Sequence, residues 1–185
     1  MDTRVYFVRH ARPDFSVKDE LRPLTKEGLE DSKKVTKALS NLNISTIYSS
    51  PYIRAMDTLK DFAEHQGLEI TPINEFRERS VGDWVDDFKT YSQKQWDDFD
   101  YKLATGESLK EVQARNIDAL NKVISKNFGR SIVIGTHGTA LSTIINYYKP
   151  TFGYDGFWSI IDKMPYILCF NFDGLTLVSI EEIEI

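Results

Sequence analysis

The sequence predicts one α/β domain, a three-layer sandwich with a mostly parallel central sheet flanked by helices and a C-terminal β-hairpin. Short runs rich in β-branched and aromatic residues at 4–8, 46–49, 70–73 and 131–136 alternate with longer stretches of helical spacing. That alternation marks strands laid parallel by helical crossovers. The last stretch, "YILCFNFDGLTLVSIEEI", carries two strand patterns broken at Asp173-Gly174, which reads as a two-residue hairpin turn. The 185 residues are 41% hydrophobic and 28% charged, the balance of a globular domain with one sizeable core, and no linker, repeat or low-complexity tract interrupts them. Residues 1–185 are therefore read as one domain.

The elements follow in order. "RVYFV" is the first strand and ends at Arg9-His10. Val35, Leu39 and Leu42 recur at i, i+4 and i+7, which predicts a helix from about Thr25 into the early forties. After the second strand, "TIYS", Ser49-Ser50-Pro51 offers a capping serine followed by proline at the first helical position. A helix is expected to start at Pro51, with Arg54 in its first turn. Glu78 lies in the loop beyond the third strand. "SLKE" at 108–111 is a capping box, Ser108 and Glu111 satisfying each other's free N–H groups ahead of Val112, Leu120 and Val123. "SIVIGT" is the fourth strand and runs into His137; the helix after Gly138 buries Leu141, Ile144, Ile145 and Tyr148. In 81–106, Trp84, Phe88, Tyr91, Trp96, Phe99 and Tyr101 are interleaved with acidic residues. This reads as an irregular helix pair covering the core, with a lid beside a cleft as the second reading.

Charge and composition exclude several functions. With 23 basic and 28 acidic side chains the net charge is −5, so nothing global attracts nucleic acid or an anionic membrane. No apolar run approaches the roughly 20 residues that span a bilayer, and "MDTRVYFV" lacks the regions of a signal peptide. A cytoplasmic protein is expected. The single cysteine, Cys169, leaves no internal disulfide and no cysteine-based zinc cluster, and its apolar neighbours predict a buried thiol.

In an open parallel sheet, ligands bind beyond the carboxyl ends of the strands. Arg9-His10, Arg54, Glu78 and His137 all fall there, delivered by separate segments to one rim; His65 is read as a helix-end residue with no catalytic part. Two arginines and two histidines make a poor metal site, and no metal is expected. They suit a phosphate monoester, whose oxygens match guanidinium forks, and the helix N-termini after Ser50 and His137, the latter opening at Gly138, offer free N–H groups to the same anion. A histidine held against an anchored phosphoryl group can attack phosphorus, and a carboxylic acid at Glu78 can protonate the leaving oxygen. Asp83 and Glu107 are the alternative donors, and Arg77 and Arg79 would pair with Glu78 if it were a plain surface carboxylate.

In that order, "VRHARPD", "PLTKEG", "YSSPYIRAMDT", "EFRERSVGDW", "GES" and "VIGTHGTAL" resemble the histidine phosphatase superfamily, whose best-known branch is the cofactor-dependent phosphoglycerate mutases. The resemblance runs from Val5 to about Leu141. It implies that His10 becomes phosphorylated, that Arg9, Arg54 and His137 hold the phosphoryl group, and that Glu78 donates the proton; Gly138 is read as a further phosphate-binding residue, and no cofactor is expected. Ala11 stands where the family has glycine, and Arg12, Pro13, Asp14, Phe15 and Ser16 depart from the mutase-like pattern. Mutases of this resemblance are longer, so water is the expected acceptor and a small phosphorylated metabolite the expected substrate. A phosphomutase and an idle phospho-ligand-binding domain are the alternatives. Arg12 and Arg22 are candidates for the outer substrate pocket.

Overall fold

The computed structural model describes residues 2–185. Six strands form one sheet, β1 Asp2–Arg9, β2 Ile44–Ser49, β3 Ile70–Pro72, β4 Ser131–Thr136, β5 Tyr166–Asp173 and β6 Thr176–Ile183, in the order β3-β2-β4-β1-β5-β6. β3, β2, β4 and β1 run parallel; β5 and β6 are antiparallel to their neighbours. Period-two alternation divides the core, since Val5 and Phe7 of β1 face one side while Tyr6 and Val8 face the other. On the first face lie α4 Leu109–Lys126 and α5 Gly138–Tyr148; on the second lie α1 Lys26–Leu39 and α2 Ile53–Gln66. The predicted three-layer α/β architecture is thus present, and Cys169 is buried. No helix among the described residues is long and apolar enough to cross a membrane.

Local signals set most element ends. Thr25 caps α1 by accepting from the N–H of Gly28, and the Ser108–Glu111 capping box opens α4 in both directions. Gly28 also permits a close backbone approach. A Cβ there would lie 2.3 Å from the carbonyl oxygen of Arg12, so the "PLTKEG" turn packs directly on the backbone that follows the first strand. Three expectations need correction. α1 stops at Leu39, and Leu42 packs on the core from the turn that follows. α2 begins at Ile53, two residues after Pro51, because the Ser50 hydroxyl accepts from the N–H of Tyr52 and meets His137, leaving no side-chain cap. The hairpin pairs Asp173 with Thr176, so its two turn residues are Gly174 and Leu175.

The aromatic segment holds one helix, α3 Phe88–Asp97, in place of the expected pair. Trp96 and Leu109 pack with Phe157 of α6, Tyr154–Ser159, in a small separate cluster, while Trp84 is 81% exposed. α6 has too short an apolar pattern to announce itself.

Candidate active site

β1 and β4 are hydrogen-bonded neighbours with Arg9 opposite Thr136, so their carboxyl ends deliver Arg9-His10 and His137 side by side. The two imidazole rings lie 5.2 Å apart, centroid to centroid, and both are buried. His10 donates its Nδ1–H to the carbonyl of Ala11 at 2.8 Å, which leaves the Nε2 lone pair free. His137 Nε2 meets the Ser50 hydroxyl at 2.7 Å. That hydroxyl also accepts from Tyr52 N–H, and His137 Nδ1 is buried with no partner. Burial first, then the Arg54 guanidinium, holds both imidazoles neutral, well below the usual histidine range.

Arg9 and Arg54 flank the pair and are almost wholly buried. Arg9 gives Nη1 to the carbonyls of Ile160 and Lys163, and burial pushes it down to about 10. A Cβ at position 138 would fall within 3.2 Å of three atoms of that guanidinium, so glycine is what lets Arg9 lie over the start of α5. Arg54 donates to the backbone carbonyl and the carboxylate of Asp19 and stacks on Tyr52. Arg9 Nε and Arg54 Nε, like His137 Nδ1, are buried without an acceptor. Three buried nitrogens on residues of this site thus have no hydrogen-bond partner in the protein, a costly arrangement.

Glu78 reaches the same place from beyond β3. Its carboxylate accepts from the backbone N–H groups of Thr139 and Ala140 at 3.0 Å and of its neighbour Arg79 at 2.8 Å. Two of the N–H groups expected to serve a phosphate at the α5 N-terminus are thus occupied by Glu78. It is no surface ion-pair member, because Arg77 binds Glu107 and Arg79 binds Gln95. Its loop is fixed by Arg115, which donates to the carbonyls of Glu75, Arg77 and Glu78 while its Nε and Nη2 grip the Glu107 carboxylate. Glu107, named from sequence as an alternative donor, is held below the ordinary carboxylate range by Arg115 and the N–H of Ser80 against the opposing effect of burial, and so keeps no proton to give. Nothing local in the sequence flagged Arg115 or Asp19, and the cap signal at Ser50 did not announce its contact with His137, since these partners are 8 to 87 positions away.

Arg9, His10, Arg54 and Glu78 open into a cleft of about 970 Å³, which residues of the arm from Arg12 to Arg22, Arg79–Trp84 and Phe88 also line. Arg12 lines its rim but is exposed and paired with Glu27; Arg22 lies over Phe15. Asp83 also lines the cleft, whereas exposed His65 does not. Among the described residues, no three His, Cys, Asp or Glu side chains group as a metal site.

Curated relatives match the chain at modest identity. Probable phosphoglycerate mutase GpmB of Serratia proteamaculans is 26% identical over 157 residues, 77% of this chain and 73% of the relative. Uncharacterized phosphatase PhoE of Bacillus subtilis is 25% identical over 148 residues, 77% and 76% of the two chains. Among solved structures, YhfR of Bacillus stearothermophilus superposes with a TM-score of 0.80 at 26% identity over 95% of this chain and 94% of that one. A phosphoserine phosphatase of Entamoeba histolytica, solved with 3-phosphoglyceric acid, gives a TM-score of 0.82 over 99% and 98% of the two chains; its 20% identity speaks to the fold alone. The family model for the histidine phosphatase superfamily (branch 1) matches residues 5–174, a span that contains both histidines, Arg9, Arg54 and Glu78, and the chain belongs to that superfamily.

Proposed function

We propose that the protein hydrolyses phosphate monoesters through a phosphohistidine on His10. The observation that carries this reading is that Arg9, Arg54 and Glu78 line one cleft with His10, whose Nε2 lone pair is free. A phosphoryl group in that cleft meets the two guanidiniums and lies in reach of that nitrogen. In the first step Nε2 forms a bond to phosphorus, the bond from phosphorus to the leaving oxygen breaks, and Glu78 gives its proton to that oxygen. In the second, water attacks phosphorus, its proton passes to the Glu78 carboxylate, the P–N bond breaks and phosphate leaves. Arg9 and Arg54 stay in place throughout and offset the charge on the equatorial oxygens.

A small phosphorylated metabolite is the substrate we assign, in line with neighbours solved with phosphoserine and with 3-phosphoglyceric acid. The segment 81–106 is assigned as the wall that covers it, and the cytoplasm as its compartment, the latter on sequence features alone. The relatives named as mutases favour one second reading, return of the phosphoryl group to a substrate. Phosphate release from a panel of sugar phosphates, phosphoglycerates, nucleotides and phosphoserine separates these readings. Steady release without a bisphosphorylated primer supports the hydrolase. Isomerisation that needs the primer replaces it with the mutase, and phosphate binding without turnover replaces both with a binding domain.

A further inference from the structure

His10 is held through its backbone as well as through its ring. Its own N–H donates to the carbonyl of Thr136 at 3.1 Å, across the junction of β1 and β4. The N–H of the next residue, Ala11, donates to the hydroxyl of Thr58 at 2.9 Å, and the carbonyl of Ala11 is the group that accepts from His10 Nδ1 at 2.8 Å. Ala11 and Thr58 are both wholly buried, so solvent cannot replace either partner. Thr58 lies one turn beyond Arg54 in α2 and gives its hydroxyl proton to the Arg54 carbonyl at 2.7 Å. In helical geometry that carbonyl also accepts from the Thr58 N–H, so it keeps a partner if the hydroxyl is lost. The Ala11 N–H does not, and a buried N–H left without an acceptor is costly.

One hydroxyl thus ties the end of β1, which carries the nucleophile, to the helix that carries Arg54. Attack on phosphorus needs Nε2 at a set distance and angle from a group that Arg54 helps to hold, and small displacements of a reacting atom cost much of the rate. An Ala11 peptide released from Thr58 would carry its carbonyl, and with it the His10 ring, out of that alignment. Resting on the phosphatase reading, we infer that Thr58 is a positioning residue for the nucleophile, keeping the His10 imidazole in register with α2 through Ala11. Thr58 does not line the cleft, so it acts on the reaction only through its neighbours. The rival role is that of a buried packing residue under α2. Loss of packing alone lowers stability and leaves chemistry on the folded protein unchanged.

The test compares Thr58→Val, which keeps the shape and removes the hydroxyl, with Thr58→Ser, which keeps the hydroxyl. Two quantities are read on each. Release of p-nitrophenolate from p-nitrophenyl phosphate in a single turnover, with protein in saturating excess, reports attack by His10; the concentration of inorganic phosphate that gives half of its thermal protection reports the clamp. Thr58→Val should lower the single-turnover rate by roughly 10²-fold, the loss expected of a misplaced reacting group, and move the phosphate midpoint by less than about threefold. Thr58→Ser should stay within about threefold of the wild type in both. The inference is overturned by a folded Thr58→Val that reacts at the wild-type rate, by one that loses phosphate binding in step with its rate, or by a Thr58→Ser as slow as Thr58→Val. If Thr58→Val does not fold, Thr58→Ala, which removes the same oxygen and adds no bulk, is judged by the same criteria. A wild type that releases no p-nitrophenolate overturns the phosphatase reading itself, and this inference with it.

Discussion

Two buried, neutral histidines tie stability to pH in a window where little else titrates. In the unfolded chain His10 and His137 have ordinary values near about 6.5, whereas in the native state burial, and then Arg54, keeps both well below that. Between pH 7.5 and 5.5 the unfolded chain therefore takes up protons that the native protein refuses, so stability is full at the upper end and falls with pH. Each histidine accounts for about 1.4 kcal/mol across that window, and the pair for about 2.7 kcal/mol. For a chain of this size that corresponds to a fall of roughly 5–10 °C in Tm. The carboxylates held below their ordinary range, such as Glu107 and Asp14, lose their contributions only as pH falls through lower values and leave the window clear. Thermal unfolding in phosphate-free buffers at constant ionic strength measures the slope. The double variant His10→Asn/His137→Asn should abolish it, and saturating phosphate should flatten it, because a bound dianion favours the protonated imidazoles. A Tm independent of pH from 7.5 to 5.5, or the same slope in the double variant, would refute the reasoning.

Three further outcomes are expected. Arg54→Lys should weaken phosphate binding by roughly 10-fold or more, read as lost thermal protection by phosphate, because an ammonium cannot reproduce a bidentate contact; protection equal to wild type would count against the clamp. Glu78→Gln should lower turnover about 10²–10⁴-fold on alkyl phosphates and far less on p-nitrophenyl phosphate, whose oxygen leaves without a proton. Equal losses on both would remove Glu78 from the acid role. Arg115→Lys frees the carbonyls of Glu75, Arg77 and Glu78 from their shared donor, so it should show the same leaving-group dependence in weaker form, and a uniform loss would mark Arg115 as structural only.

Much of this was legible in the sequence because the deciding signals are local. The alternation in "VYFV" places β1 with both faces buried, and the Thr25 and Ser108 caps need only residues three positions away. Strand ends then predicted the company of Arg9, His10, Arg54, Glu78 and His137; the first four line one cleft, and wholly buried His137 packs against His10. What was hidden depends on partners far along the chain. Ser50 has the chemistry of a helix cap, but His137, 87 positions later, takes its hydroxyl, and the helix starts at Ile53. Arg79 looked like a surface partner of Glu78 until Gln95, Phe88 and Tyr91 enclosed it. Asp19 gave no signal of its role on Arg54, 35 positions away.

The most direct measurement is the chemical state of His10 during turnover. Protein mixed with excess p-nitrophenyl phosphate, quenched in base within milliseconds and digested, should carry one phosphate on the peptide that contains His10, stable to alkali and lost in acid, at a level that approaches one per chain when Glu78→Gln slows its hydrolysis. Phosphate release at full rate from the wild type with no such phosphoramidate in either protein, or with the label on His137, would contradict His10 as the nucleophile.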